Sequence, residues 1–168
     1  QILKEKGIEF IGTRETEPEP IYTVKDVNGI KIGMANYTYS SMSGDRKNLN
    51  GNVLKAEAGK LVSTFTYNDL DSFYAEAEAT ITDMKLTGAE FIVFYMHWGN
   101  EYQLTPNTWQ KSIAQKLSNL GVDIIIGSHP HVIQPVELIH SEDGQNTTVC
   151  IYSTGNAISN QRQELMDS

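Results

Sequence analysis

Cysteine is almost absent from this chain of 168 residues: Cys150 is the only one, so no disulfide can form within it. It lies in the strand-like run Thr148-Val149-Cys150-Ile151-Tyr152, where a buried thiol is the ordinary expectation. So few cysteines suit either a cytosolic or an external location. Basic residues are also few, with 13 Lys and Arg against 21 Asp and Glu and a net charge of −8. That balance argues against nonspecific nucleic-acid binding, which needs a basic face. It would also repel a long polyanion unless a metal or a local basic patch reversed the sign. No run approaches the ~18 consecutive apolar residues of a transmembrane helix, and no signal peptide opens the sequence. Repeats and low-complexity segments are lacking too. The chain begins at Gln1, inside what reads as a helix end (Ile2-Leu3-Lys4-Glu5-Lys6-Gly7), so the expectation is that upstream residues, with any targeting segment, have been removed.

What is present is enough for one α/β domain, since 39% apolar residues in a chain of this length can fill a single core. Ile8 to Ile11 reads as a short strand, followed by a polar, acidic loop from Thr13 to Pro20. Two alternating runs, Ile21–Val27 and Ile30–Ala35, flank Asn28-Gly29, which predicts a hairpin closed by a two-residue type I′ turn. Tyr37 to Thr66 is polar and weakly periodic, a long excursion with short elements. Leu70, Phe73, Tyr74, Ala77, Ile81 and Met84 then form a helical stripe that ends at Gly88. A second helix is expected from Pro106, with Thr105 as its N-cap and Trp109, Ile113, Leu117 and Leu120 on its buried face. The runs Phe91–Met96 and Asp123–Ile126 read as strands covered on both faces, joined by a right-handed crossover. Val132–Ile139 and Thr148–Ser153 make a last antiparallel pair around the polar loop from His140 to Asn146.

Histidine is the chemistry-bearing residue here. Gly127-Ser128-His129-Pro130-His131-Val132 follows a buried strand, and in an extended segment the i and i+2 side chains share a side. Pro130 disfavours helix at His129, so an extended pair is expected. His97 ends the other buried strand, in Met96-His97-Trp98-Gly99-Asn100-Glu101-Tyr102. Neutral imidazole ligates zinc, iron, manganese and similar ions, and open sheets place ligand sites beyond strand ends. His97, His129 and His131 are therefore the candidate metal ligands. Glu101, four residues after His97, either orients that ligand, binds substrate, or stabilises its own turn. Asn156 either bonds a group behind the ligands or caps the next segment. His140, in a hairpin loop, reads as solvent-facing. Asn36-Tyr37-Thr38 and Asn146-Thr147-Thr148 match a glycosylation acceptor pattern short enough to arise by chance.

Three blocks in order carry a family resemblance: His97-Trp98-Gly99-Asn100-Glu101-Tyr102, then Gly121 through Val132, then Tyr152-Ser153-Thr154-Gly155-Asn156. Together they resemble the CapA family, bacterial poly-γ-glutamate capsule biosynthesis proteins related to the calcineurin-like metallophosphoesterases. The match runs from about Gly7 to Asn156. The family's opening blocks, a Gly-Asp metal motif, an Asn-Leu-Glu-like motif and an Asn-Asn-His segment, do not precede the matched region. Ala157-Ile158 also stands where the family has an aromatic residue after Gly-Asn.

The resemblance implies that residues 1–168 are the C-terminal portion of one domain, a four-layered α/β/β/α metallophosphatase-like sandwich whose N-terminal part is absent. It implies one or two divalent ions (Mn, Fe or Zn) in the complete protein, with His97, His129 and His131 among the ligands. It further implies a role in capsule polymer synthesis, either through hydrolysis of a phosphoester or γ-glutamyl bond, or as a non-catalytic surface-anchored accessory to synthesis or export. The expected partners are the N-terminal part of the same domain, an anionic polymer and other capsule-synthesis components, at an extracellular or cell-surface location. The isolated chain is expected to be inactive.

Overall fold

The computed structural model describes residues 2–158. After a short helix α1 (Ile2–Glu5) come strands β1 (Tyr22–Val27), β2 (Ile30–Tyr39), β3 (Ser41–Ser43), β4 (Arg46–Leu49) and β5 (Asn52–Val53), helix α2 (Ala56–Lys60) and strand β6 (Thr64–Phe65). The second half holds helix α3 (Leu70–Leu86), strand β7 (Phe91–His97), helix α4 (Thr108–Asn119) and strands β8 (Ile124–Ser128), β9 (Val136–His140) and β10 (Thr147–Ile151). The main sheet runs β1-β2-β7-β8-β10-β9, with β6 added to the end of β2, and β3, β4 and β5 form a separate small sheet. β2, β7, β8 and β10 are parallel, while β1 and β9 are antiparallel edges. The mixed α/β class expected from the strand-helix-strand pattern is the class observed. No helix among the described residues is long and apolar enough to cross a membrane.

Local chemistry explains the elements that hold the site. Asn28 and Gly29 have φ of 55° and 90°, the positive pair that a type I′ turn demands, and β1 and β2 pair directly from Val27↔Ile30 to Tyr22↔Ala35. The Asp69 carboxylate accepts from the Ser72 backbone N–H and caps α3, whose Phe73, Ala77, Ile81 and Met84 are buried. α4 begins two residues later than expected. Asn107, not Thr105, is its N-cap: the Asn107 side chain accepts from Gln110 N–H at 2.9 Å, and Gln110 Oε1 accepts from Asn107 N–H at 3.0 Å. This reciprocal capping box satisfies two helix-end donors at once, which a lone threonine cannot do. Ile113 and Leu117 are buried as expected, but Trp109 is 45% exposed.

One face of the main sheet is closed by α3 and α4. Tyr37, Phe94, Met96, Ile125, Cys150 and Tyr152 from the sheet pack with Phe73, Met84, Ile113 and Leu117 from the helices. Each large side chain so buried contributes roughly 1.5–3 kcal/mol. The expectation that β7 and β8 are covered on both faces is only half met among the described residues. On the second face Tyr95, Ile124 and Ile126 are half-buried, and Ile133, Val136 and Leu138 are 69%, 61% and 66% exposed. Val136 and Leu138 stand opposite Ile151 and Val149, so an apolar surface runs across β9 and β10.

Three expected strands differ. Ile8–Ile11 forms none: Ile8 N–H closes the end of α1 on Leu3 O, and Phe10 and Ile11 flank a hollow with Met34, Asn36 and Tyr95 on the second sheet face. β2 itself has no open edge for this segment, being paired with β1 and β6 on one side and β7 on the other. β2 runs on to Tyr39, so the excursion starts later than expected, and it does contain short elements. β9 starts at Val136 because Pro135 has no N–H to give a ladder, and Ile133 makes only an isolated bridge to Thr154.

Candidate functional site

The site lies at the carboxyl ends of β7, β8 and β10, where three chain segments are tied together by one tryptophan. Trp98 is fully buried, its backbone N–H donates to Ser128 O at 3.2 Å, and its indole Nε1 donates to Tyr152 O at 2.9 Å. Only glycine fits beneath it: a Cβ on Gly127 would lie 1.9 Å from Tyr152 O and 2.5 Å from the Trp98 Nε1. Alternation along β7 then puts His97 on the opposite face from Met96 and Trp98, in register with Ser128 of β8.

The His129-Pro130-His131 segment is not extended. His129 has φ of 99° and His131 of 63°, and Tyr102 opposite has φ of 61°. Side chains in this left-handed region carry strain of order 1–3 kcal/mol that the surroundings must hold in place. The bend, rather than strand alternation, sets the two rings. His97 and His129 approach to 4.7 Å between ring centroids at 75°, and His129 and His131 to 6.2 Å at 50°. All three candidate histidines therefore gather at one sheet end.

His131 is the best-held member. Its Nδ1 lies 2.9 Å from Asn156 Oδ1, its Nε2 is 3.8 Å from Glu101 Oε1, and Tyr102 stacks on its ring at 5.7 Å and 25°. Tyr102 N–H also donates to Pro130 O at 2.8 Å, fastening the Glu101 loop to the histidine bend. Glu101 and Asn156 both stand against His131, and the contact expected of Glu101 with His97 is not the one formed. Burial pushes His97 below the ordinary imidazole pKa of 6.5, reinforced by His129 and His131. Burial also lowers His129, opposed by Glu101 and aided by His131. Both shifts favour the neutral, ligating form. His140 stands apart, exposed, with Nδ1 3.0 Å from Thr147 Oγ1.

Two contributors escaped sequence reading. Gln110 and Gln134 are buried, and Gln110 Nε2 donates to Gln134 Oε1 at 2.9 Å while Gln134 Nε2 donates to Gln103 O at 2.8 Å. This amide relay clamps the Glu101 loop between α4 and the segment after His131. The Asn107-x-x-Gln110 spacing could have pointed to Gln110 as a capping-box partner. Nothing local marks Gln134.

Among the described residues, no group of three or more His, Cys, Asp or Glu side chains is arranged to hold a metal ion. The donor chemistry nonetheless fits part of a coordination shell, with neutral imidazoles backed by an amide and a carboxylate. Other known proteins are similar to this chain. The sequence profile of the bacterial capsule synthesis protein PGA_cap family matches residues 1–161. PGA biosynthesis protein CapA of Bacillus subtilis (strain 168) is 42% identical over 73 residues, 44% of this chain and 18% of that protein. Capsule biosynthesis protein CapA of Bacillus anthracis is 28% identical over 160 residues, 95% of this chain and 34% of that protein. The chain spans about a third or less of each of these relatives. With the family profile matching nearly its whole length, the chain belongs to the bacterial capsule synthesis protein PGA_cap family.

Proposed function

We propose that this chain carries half of a metal-dependent hydrolytic site used in capsule polymer biosynthesis, acting on a phosphoester or a γ-glutamyl bond. The single observation that carries it is the convergence of His97, His129 and His131 at one sheet end, with His131 oriented by Asn156 and Glu101. These imidazoles would hold a divalent ion such as Mn, Fe or Zn, with further ligands from outside this constellation. Such an ion, when bound, polarises a phosphoryl or acyl oxygen and lowers the pKa of bound water toward ~7. The chain's own residues do the rest. Asn156 Oδ1 holds the Nδ1 side of His131 and so turns Nε2 toward Glu101, the side from which it would ligate. Glu101 supplies negative charge beside it, and Tyr102 blocks one face of the ring from water.

Metal titration of this chain and of a longer form of the protein tests the proposal. The chain alone is expected to hold Mn²⁺ or Zn²⁺ weakly and to turn over neither a phosphoester nor a γ-glutamyl oligomer. The longer form is expected to bind stoichiometrically, and to lose the metal when His97, His129 or His131 is changed to Ala. Metal binding that survives all three changes would overturn the ligand assignment. The exposed surface of Ile133, Val136 and Leu138 favours a second reading, an accessory role at the cell surface in which this domain assembles with other capsule-synthesis components without turnover. Intact metal binding in the longer form without hydrolysis of either bond would select it.

A further inference from the structure

The two edges of the main sheet are finished differently. β1 is guarded by charge: Lys25 and Asp26 stand on it, and the Lys25 ammonium is paired with Glu9. β9 has no lysine, no internal proline and no bulge in its register, the devices that keep exposed edge strands from pairing with other chains. Its one carboxylate, Glu137, is drawn to the helix side of the sheet, where the Tyr152 hydroxyl donates to it at 3.2 Å.

The ladder fixes which backbone groups of β9 are free. β9 pairs with β10 from His140↔Thr147 to Val136↔Ile151, with Ser141 N–H donating to Asn146 O beyond one end and Tyr152 N–H to Pro135 O beyond the other. Bonded and non-bonded pairs alternate in an antiparallel ladder. Glu137 and Ile139 therefore carry the bonds to β10, and the N–H and C=O groups of Val136, Leu138 and His140 point outward. Among the described residues only the His140 carbonyl meets a partner there, Gln115 Nε2 at 2.9 Å, and a carbonyl can accept a second bond. The side chains of Val136 and Leu138 are themselves exposed. The same two residues thus offer unpaired backbone and bare apolar surface.

A layer packed on the second sheet face would cover those side chains but leave the outward backbone unpaired. A second β9 satisfies both, and its sequence selects the register. Antiparallel pairing centred on Leu138 sets Leu138 opposite its own copy and Val136 opposite His140, so every outward group is matched. Glu137 then stands opposite Ile139 and no like charges meet. Centring on Glu137 would oppose two carboxylates, which destabilises a strand pair. Centring on Ile139 would carry Val136 past the strand end, opposite Glu142 in the following turn.

We propose that β9 is the docking edge for a second copy of this chain, joined antiparallel about Leu138 in a closed two-fold pair. The main sheet then runs on from one copy into the other, with the two histidine clusters at opposite ends. This pairing does not depend on the metal reading.

Sedimentation velocity over a range of concentrations, on this chain and on a longer form of the protein, is expected to show a reversible monomer–dimer equilibrium. Leu138→Pro removes an outward N–H without cutting the ladder to β10, a change that edge strands tolerate, and should abolish the dimer while Trp98 emission stays native. Oxidised Leu138→Cys should cross-link two copies, since the register brings that position within disulfide reach of itself. Val136→Cys, opposite His140, should not, and the wild type sets the background because Cys150 is buried. If the proline variant does not fold, the two cysteine variants decide alone. A monomer at every concentration, equal cross-linking at both positions, or an undiminished dimer in folded Leu138→Pro would overturn the proposal. So would a cross-link in this chain that is lost in the longer form, which would show that the rest of the polypeptide takes the edge.

Discussion

Asn156 and Glu101 grip His131 from opposite ends of its ring. Asn156 Oδ1 lies 2.9 Å from Nδ1, where an amide oxygen can only accept, and Glu101 Oε1 lies 3.8 Å from Nε2. Residues separated by 25 positions thus fix the orientation of the ring.

That relationship gives the first expectation. In a longer form of the protein that binds metal, Asn156→Leu should weaken metal affinity by about 10–100-fold, the usual cost of losing an outer-shell partner. Asn156→Asp, which keeps an acceptor, should retain most of it. Calorimetric titration with Mn²⁺ or Zn²⁺ separates the two, and equal affinities would show that Asn156 does not orient the ring.

Acid should destabilise the fold through His97. Its native pKa is depressed, so the unfolded chain binds the proton more readily. The stabilisation from keeping it neutral is complete above the ordinary value of 6.5 and is lost as pH falls from there through the lower native pKa. Thermal melts at pH 7.5 and 5.0 should show a larger drop for the wild type than for His97→Gln. Parallel drops would place the acid sensitivity elsewhere.

Gly127→Ala should be among the most damaging small changes in this chain. The added methyl would meet backbone oxygen at 1.9 Å, which cannot swing aside as a side chain can. Overpacking of this kind costs about 1–3 kcal/mol or more. Denaturant unfolding followed by Trp98 emission reads the loss directly, and an unchanged midpoint would mean that β8 and β10 shift apart freely.

The Gln110–Gln134 relay should behave as a unit. Gln110→Leu alone leaves the Gln134 carbonyl without its buried donor, a penalty of about 1–3 kcal/mol. Gln110→Leu with Gln134→Leu removes both polar partners, so the double variant should be more stable than the sum of the singles. A double-mutant cycle on unfolding free energies tests this, and strict additivity would count against a coupled pair.

The sheet face left exposed among the described residues should make the chain sticky. Val136 and Leu138 project from the edge strand β9 and continue the apolar surface of Ile151 and Val149. Light scattering should find self-association, and Val136→Lys with Leu138→Lys should reduce it. A monodisperse monomer in the unmodified chain would show that something within the chain already covers this face.

The sequence by itself determined the elements whose causes are local. Alternation around Asn28-Gly29 specified the hairpin, the 3.6-residue stripe from Leu70 to Met84 specified α3, and the blocks around His97, His129 and Tyr152 specified the family. It also singled out three histidines at two strand ends, because apolar runs mark buried strands and a polar residue at their limit marks the sheet's rim. Tertiary structure decided what no short window contains. Gln110, whose capping box with Asn107 is local, is tied to Gln134 only by the packing of distant segments. Trp109 came to the surface because Tyr67 fills the space on its inner side. The histidine bend, left-handed on either side of Pro130, is held by Tyr102 and Asn156 from two other segments. Periodicity records which side of an element faces the core, but the angle at which a ring nitrogen points depends on groups brought near it only when distant segments pack.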